Sequence, residues 1–162
     1  MSQFDLSTPV GLAVFLAMQQ AALDALIAAD GGDRTRSILP DLAARAADDL
    51  ATLGATPAPQ RPALGTTPDA MAVDYVLLGS RLGTAVLKKR WSMATDERVH
   101  AASAYFSAPT YIDVWQAFCS AAAEVPADSP QAQTIVNDTS RLFDFYHGCA
   151  VAAHKDLATA YA

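Results

Sequence analysis

This 162-residue chain is poor in the residues that build most metal and redox sites, with two cysteines, three histidines and two glutamates. Cys119 and Cys149 are too few to frame a disulfide scaffold, so both are expected to be free, buried thiols of a cytoplasmic protein. Glu97 and His100 have the Glu-x-x-His spacing of di-iron bundles. That chemistry needs further carboxylates, usually glutamates, and the only other one is Glu124. His147 and His154 stand two helical turns apart, about 10 Å, and cannot share one metal. No Cys-x-x-Cys, phosphate-binding glycine loop or Gly-x-Ser-x-Gly motif occurs. No apolar run is expected to span a bilayer, which takes roughly 20 residues. The start lacks the basic region of a signal peptide. Cations are scarce too, at 11 Lys and Arg against 17 Asp and Glu. A net charge of −6 argues against a nucleic-acid partner.

What the chain has in quantity is alanine and leucine, which favour helices. Ser7-Thr8-Pro9 opens a helix to about Ala29, with Leu12, Phe15, Leu16, Gln19, Leu23 and Leu26 at helical spacing. Asp30-Gly31-Gly32 ends it. A second helix follows Pro40-Asp41 and stops at Gly54. Residues 55 to 67, with Pro57, Pro59 and Pro62, read as an irregular connection. Thr95-Asp96-Glu97 caps a helix to about Phe106. Pro109-Thr110 opens another to Glu124, and Ser129-Pro130 starts a long final helix. Ile135, Thr139, Leu142, Tyr146, Cys149, Ala153 and Leu157 mark its inner face. The expected architecture is one all-α bundle of about six helices over residues 1–162.

The stretch from Tyr75 to Trp91 organises the rest. Thr67-Pro68 suits a helix start, and Lys88, Lys89 and Arg90 suit its end, where the dipole favours cations. From Met71 to Leu87 only Asp74, Ser80 and Arg81 are strongly polar, so the helix is expected inside the bundle. Tyr75, Gly79, Gly83 and Val86 share one face. A mid-helix glycine costs about 1 kcal/mol relative to alanine, so two on one face imply a use for the missing side chains. Tight helix packing is one such use, and the approach of something flat or bulky is the other.

The run Tyr75-Val-Leu-Leu-Gly-Ser-Arg-Leu-Gly83 resembles the distal-helix signature of bacterial biliverdin-producing heme oxygenases, especially the bacteriophytochrome-associated type. The lead-in from Phe4 to Leu16 resembles that family's second helix. Trp115-Gln-Ala-Phe118 and the Phe143 region resemble its later helices. The resemblance implies a heme-oxygenase-like bundle in which the two glycines bend over a heme and leave room for dioxygen. On that basis Tyr75, Gly79, Ser80, Gly83, Thr84, Arg141, Phe143 and His147 are the candidate tetrapyrrole-facing residues. Arg141 is either a propionate partner or a solvated charge paired with Asp138 or Asp144.

The departures fall on the chemistry. The family's iron-binding histidine lies on a helix upstream of the stretch matching Phe4. Only Met1, Ser2 and Gln3 precede Phe4 here, so that helix is expected to be missing. Leu78 stands where the family commonly has glutamate, and Thr84 replaces the last glycine of Leu-Gly-Gly. No residue is assigned a catalytic or metal-binding role. The favoured reading is a degenerate heme-oxygenase-like regulatory or interaction module. A homodimer or a partner protein would cover the groove left on the first and central helices. The alternative is a heme or biliverdin binder or sensor, with heme oxygenase activity as its strong form. Heme would then be held by His100, His147 or His154, whereas biliverdin would bind with no iron ligand at all.

Overall fold

A computed structural model describes residues 4–56 and 62–160, with side chains to Leu157. Pro57 and Pro59 of the expected irregular connection, and Met1 to Gln3, lie outside the described residues. The described chain is all-helical, with six helices and no strand. They are α1 Pro9–Ala28, α2 Ile38–Thr52, α3 Ala70–Ser92, α4 Glu97–Ala101, α5 Ile112–Ala123 and α6 Pro130–Ala160. Packing runs α2, α1, α6, α3, α5 in order, with the short α4 touching α1, α2 and α3.

Local chemistry sets the helix ends. Thr8 caps α1 by accepting from the Gly11 amide, with Pro9 in the first turn. At its far end the Asp30 amide donates to the Ile27 carbonyl and the Gly31 amide to that of Leu26. This is a Schellman closure with aspartate in the left-handed position, at φ 52°. Gly54, at φ 68°, closes α2 in the same way through the Leu50 and Ala51 carbonyls. α2 begins two residues before Pro40, because proline fits anywhere in a first turn, where its missing N–H is not needed. α3 begins after Asp69, not Thr67. The Asp69 carboxylate accepts from the Met71 amide, and its own amide donates to Asp138 of α6 at 2.7 Å.

α1 is buried between α2 and α6, and Leu12, Phe15, Leu16, Gln19, Leu23 and Leu26 all lie in the core. α6 turns Leu142, Cys149, Ala153 and Leu157 inward. α1 and α3 are each long and apolar enough to cross a bilayer, which corrects the expectation that no such run exists. Core helices of water-exposed bundles have the same composition, and most of α1 is buried here.

The central helix departs most from expectation. Its two mid-helix charges are inside, Asp74 at 0% and Arg81 at 1% exposure, among Val73, Val76, Leu77 and Leu78. Its apolar face of Tyr75, Gly79, Leu82, Gly83 and Val86 is exposed or half-exposed, and Val86 reaches 62%. The reason is what the two charges hold. Asp74 accepts from the Thr35 amide at 3.1 Å, the Thr35 hydroxyl at 2.8 Å and the Arg34 amide at 3.2 Å, with the Arg34 guanidinium at 3.6 Å. These bonds fix the α1–α2 connector. A Cβ on Gly32, already at φ 78°, would stand 2.2 Å from the Thr35 hydroxyl. Asp74→Ala would leave two backbone amides and a hydroxyl buried without an acceptor. It is expected to lower the unfolding free energy by about 3 kcal/mol in urea titrations. A loss below about 0.5 kcal/mol, the range of ordinary surface changes, would remove Asp74 from this role.

Candidate functional site

The second inward charge builds the region that carries the candidate residues. The Arg81 Nη2 donates to the Ala108 carbonyl at 3.1 Å and to that of Pro109 at 3.3 Å. Its guanidinium carbon lies 5.1 Å from the centre of the Tyr105 ring, a cation–π contact inside the core. Its Nε and Nη1 are buried without a hydrogen-bond partner among the described residues, as is the Tyr146 hydroxyl. α2 grips the same connector from the other side. Asp49 accepts from the Ala104 and Tyr105 amides at 2.9 and 2.8 Å. Arg45, bound to Asp41 at 2.8 Å, donates to the Ala104 carbonyl.

These side chains take the backbone groups that a longer α4 would have paired, so α4 ends at Ala101 rather than near Phe106. Tyr105 and Phe106 instead drive their rings onto Phe15, at 5.7 and 5.9 Å between centroids. Tyr111 sits at φ 56° and starts α5 two residues later than Pro109-Thr110 implied. A left-handed tyrosine is uncommon, and its hydroxyl reaches Asp41 at 3.4 Å.

So aimed, α5 lies antiparallel against α3. Trp115 and Phe118 each come within 6.1 Å of the Tyr75 ring. Gly79 faces Trp115, whose ring would stand 3.9 Å from an added Cβ, while Gly83 faces open space. The glycine pair therefore leaves one position covered by an aromatic ring and one bare.

The other candidates scatter. The Ser80 hydroxyl donates to the Leu77 carbonyl and that of Thr84 to the Ser80 carbonyl, so both serve their own helix. Thr84 points into the bundle, away from the bare side of Gly83, which places its side-chain volume elsewhere than the resemblance implied. Arg141 pairs with Asp138 at 2.8 Å and donates to the Thr66 hydroxyl. Phe143 and His147 lie on the exposed side of α6, with Val136 and Val151. Tyr75, Gly79 and Gly83 thus form one surface with Trp115, and Ser80, Thr84 and Arg141 do not join it.

His100 is tied down as well: its Nε2–H donates to the Ala94 carbonyl at 2.7 Å and its ring meets the edge of Trp91. Among the described residues no three His, Cys, Asp or Glu side chains gather to metal-binding distance. The two thiols differ. Cys149 is buried, and burial pushes its thiol up to about 11. Cys119 is exposed on α5, contrary to the expectation for both, because only Phe118 of that helix is fully inside. The inward pair Asp74 and Arg81 was not singled out as structural. Its signal was available, since two isolated charges in an apolar helix seven residues apart share one face.

Comparison with known protein families, with curated proteins and with solved structures finds no match.

Burial pushes the Asp49 carboxyl above its ordinary value, against the pull of the Tyr105 and Ala104 amides. A raised carboxyl binds its proton more tightly in the folded chain than in the unfolded one. Its stabilising contribution is complete below the ordinary carboxylate value and is lost as pH rises through the folded value. The stability of wild type relative to Asp49→Asn, which does not titrate, is therefore expected to grow as pH falls from about 7 to about 4. A difference that is flat or shrinks over that range would assign the carboxyl no burial penalty.

Proposed function

We propose that this chain is an interaction or regulatory module without heme oxygenase activity, and that its working surface is the outer face of α3 with the flanking edge of α5. The observation that carries this reading is the orientation of α3, which turns its two mid-helix charges inward together with Val73, Val76, Leu77 and Leu78 and leaves Tyr75, Gly83 and Val86 exposed on the other side. The face continues past Val86 to Met93, which is 66% exposed, and Ile112 at the start of α5 is exposed as well. A contiguous apolar strip of this kind is uncommon on an isolated soluble domain and marks a site for another surface. It lies on α3 and α5 rather than on α1, because α6 separates α1 from α3.

The resemblance to bacterial heme oxygenases supports a tetrapyrrole as the second reading, since Gly83 is bare. Under that reading heme or biliverdin would press against α3 and displace Trp115 from Gly79. Neither His100, which is engaged with Ala94, nor Arg141, which is engaged with Asp138 and Thr66, is free to serve it without rearrangement.

Two titrations of the folded protein separate the readings. An apolar dye such as bis-ANS is expected to bind and brighten, and the signal is expected to fall severalfold in a Val86→Lys, Met93→Lys variant of unchanged helicity. Heme is expected to give the spectrum of heme with an unrelated protein. A saturable Soret band lost in Gly83→Arg, with no dye response, would replace the interaction reading by the tetrapyrrole one.

A further inference from the structure

Resting on the interaction reading, we infer that the surface bound by the α3–α5 face is a second copy of the same chain, seated about a two-fold axis that passes beside Gly79 and Gly83. The two ends of the face carry opposite charge. Lys89 and Arg90 flank the apolar strip near the C-terminus of α3, and both are exposed. The antiparallel α5 supplies the other end. Trp115 lies beside Gly79 and Phe118 beside Tyr75. Continuing along α5 sets the exposed Glu124 level with the start of α3, followed by the exposed Asp128.

A two-fold interface joins a patch to itself, so the patch must be complementary to its own rotated image. A strip that is apolar in the middle, basic at one end and acidic at the other meets that condition. With the axis between Gly79 and Gly83, Lys89 lies about 12 Å to one side and the Glu124 level about 18 Å to the other, at 1.5 Å per residue. That leaves about 6 Å along the helices and about 8–10 Å across to the neighbouring helix axis, a span that an extended lysine and an extended glutamate cover together. Gly83 supplies the close approach, since an added Cβ there meets nothing within 4 Å of its own chain. The strip from Tyr75 to Met93 is about 27 Å long and two helices are about 20 Å wide. That patch, on the order of 500 Å² per copy, falls below the usual size for an interface and suits a reversible dimer.

Sedimentation equilibrium over a wide concentration range tests this. Wild type is expected to show a reversible monomer–dimer equilibrium. Gly83→Arg is expected to remain monomeric with unchanged helicity, because the added side chain has room in the monomer and none at the axis. Lys89→Glu is expected to weaken association about tenfold, and the double variant Lys89→Glu, Glu124→Lys to recover to within about threefold of wild type. A dimer that survives Gly83→Arg, or a double variant weaker than either single one, would overturn the inference. So would a monomer at every concentration. In that last case the dye titration keeps the two claims apart. Binding lost in Val86→Lys, Met93→Lys would leave the face open for a different partner, and no binding would end the interaction reading too.

Discussion

Two buried charges on one helix hold this bundle in its arrangement. Asp74 and Arg81 sit seven residues apart on the inward side of α3, and each fastens a connector. Asp74 gathers the amides of the α1–α2 link, while Arg81 takes two carbonyls of the α4–α5 link. Buried charges are costly unless partnered: Asp74 has its hydrogen bonds, while Arg81, with Nε and Nη1 unpaired among the described residues, is held by two carbonyls and the Tyr105 ring, and these partners set the positions of both. Once both face inward, the rotation of α3 is fixed. The glycine-bearing face then has only one direction left, which is outward.

The same logic explains α5. It has one buried residue, Phe118, and packs chiefly on α3. Its placement comes from its entry, where Arg81, Asp49, Arg45 and Asp41 hold residues 104–111 from two helices. The left-handed Tyr111 turns the chain at the end of that clamp. The surface proposed for binding is thus built on a rigid helix, and its border is aimed by polar contacts buried behind it.

Much of the fold was legible in the sequence. The starts of α1 and α6 were marked by Thr8-Pro9 and Ser129-Pro130, the ends of α1 and α2 by Asp30 and Gly54, and the inner face of α6 by its spacing. Those signals are local, and local chemistry decided them. The site was less legible. An apolar helix was expected to be buried all round, and here the long-range bonds of Asp74 and Arg81 hold one side in, with Val73, Val76, Leu77 and Leu78, and leave the other side exposed. α4 was expected to run to Phe106, but Asp49, more than fifty residues earlier, captured the amides of Ala104 and Tyr105. Cys119 was expected inside because thiols usually are, and α5 proved to be an edge helix. The first two differences arise where a side chain distant in sequence takes up a backbone group, and the third where a helix has only one packed side, none of which periodicity can register. The resemblance of Tyr75 to Gly83 to a distal heme helix drew attention to this stretch and implied a set of ligand-facing residues. The structure brings only part of the residues it implied onto one surface.

If the inward charges set the rotation of α3, the connectors they hold should open only when the whole domain does. Residue-resolved amide hydrogen exchange measures this directly at Thr35, Ala104 and Tyr105, which lie outside helices but donate to Asp74 and Asp49. The account predicts that these three amides exchange as slowly as the core of α1 and α6, with opening free energies close to global unfolding. Exchange at the rate of exposed loops, while the helices stay protected, would mean that the connectors are loosely held and that something other than these buried charges orients α3.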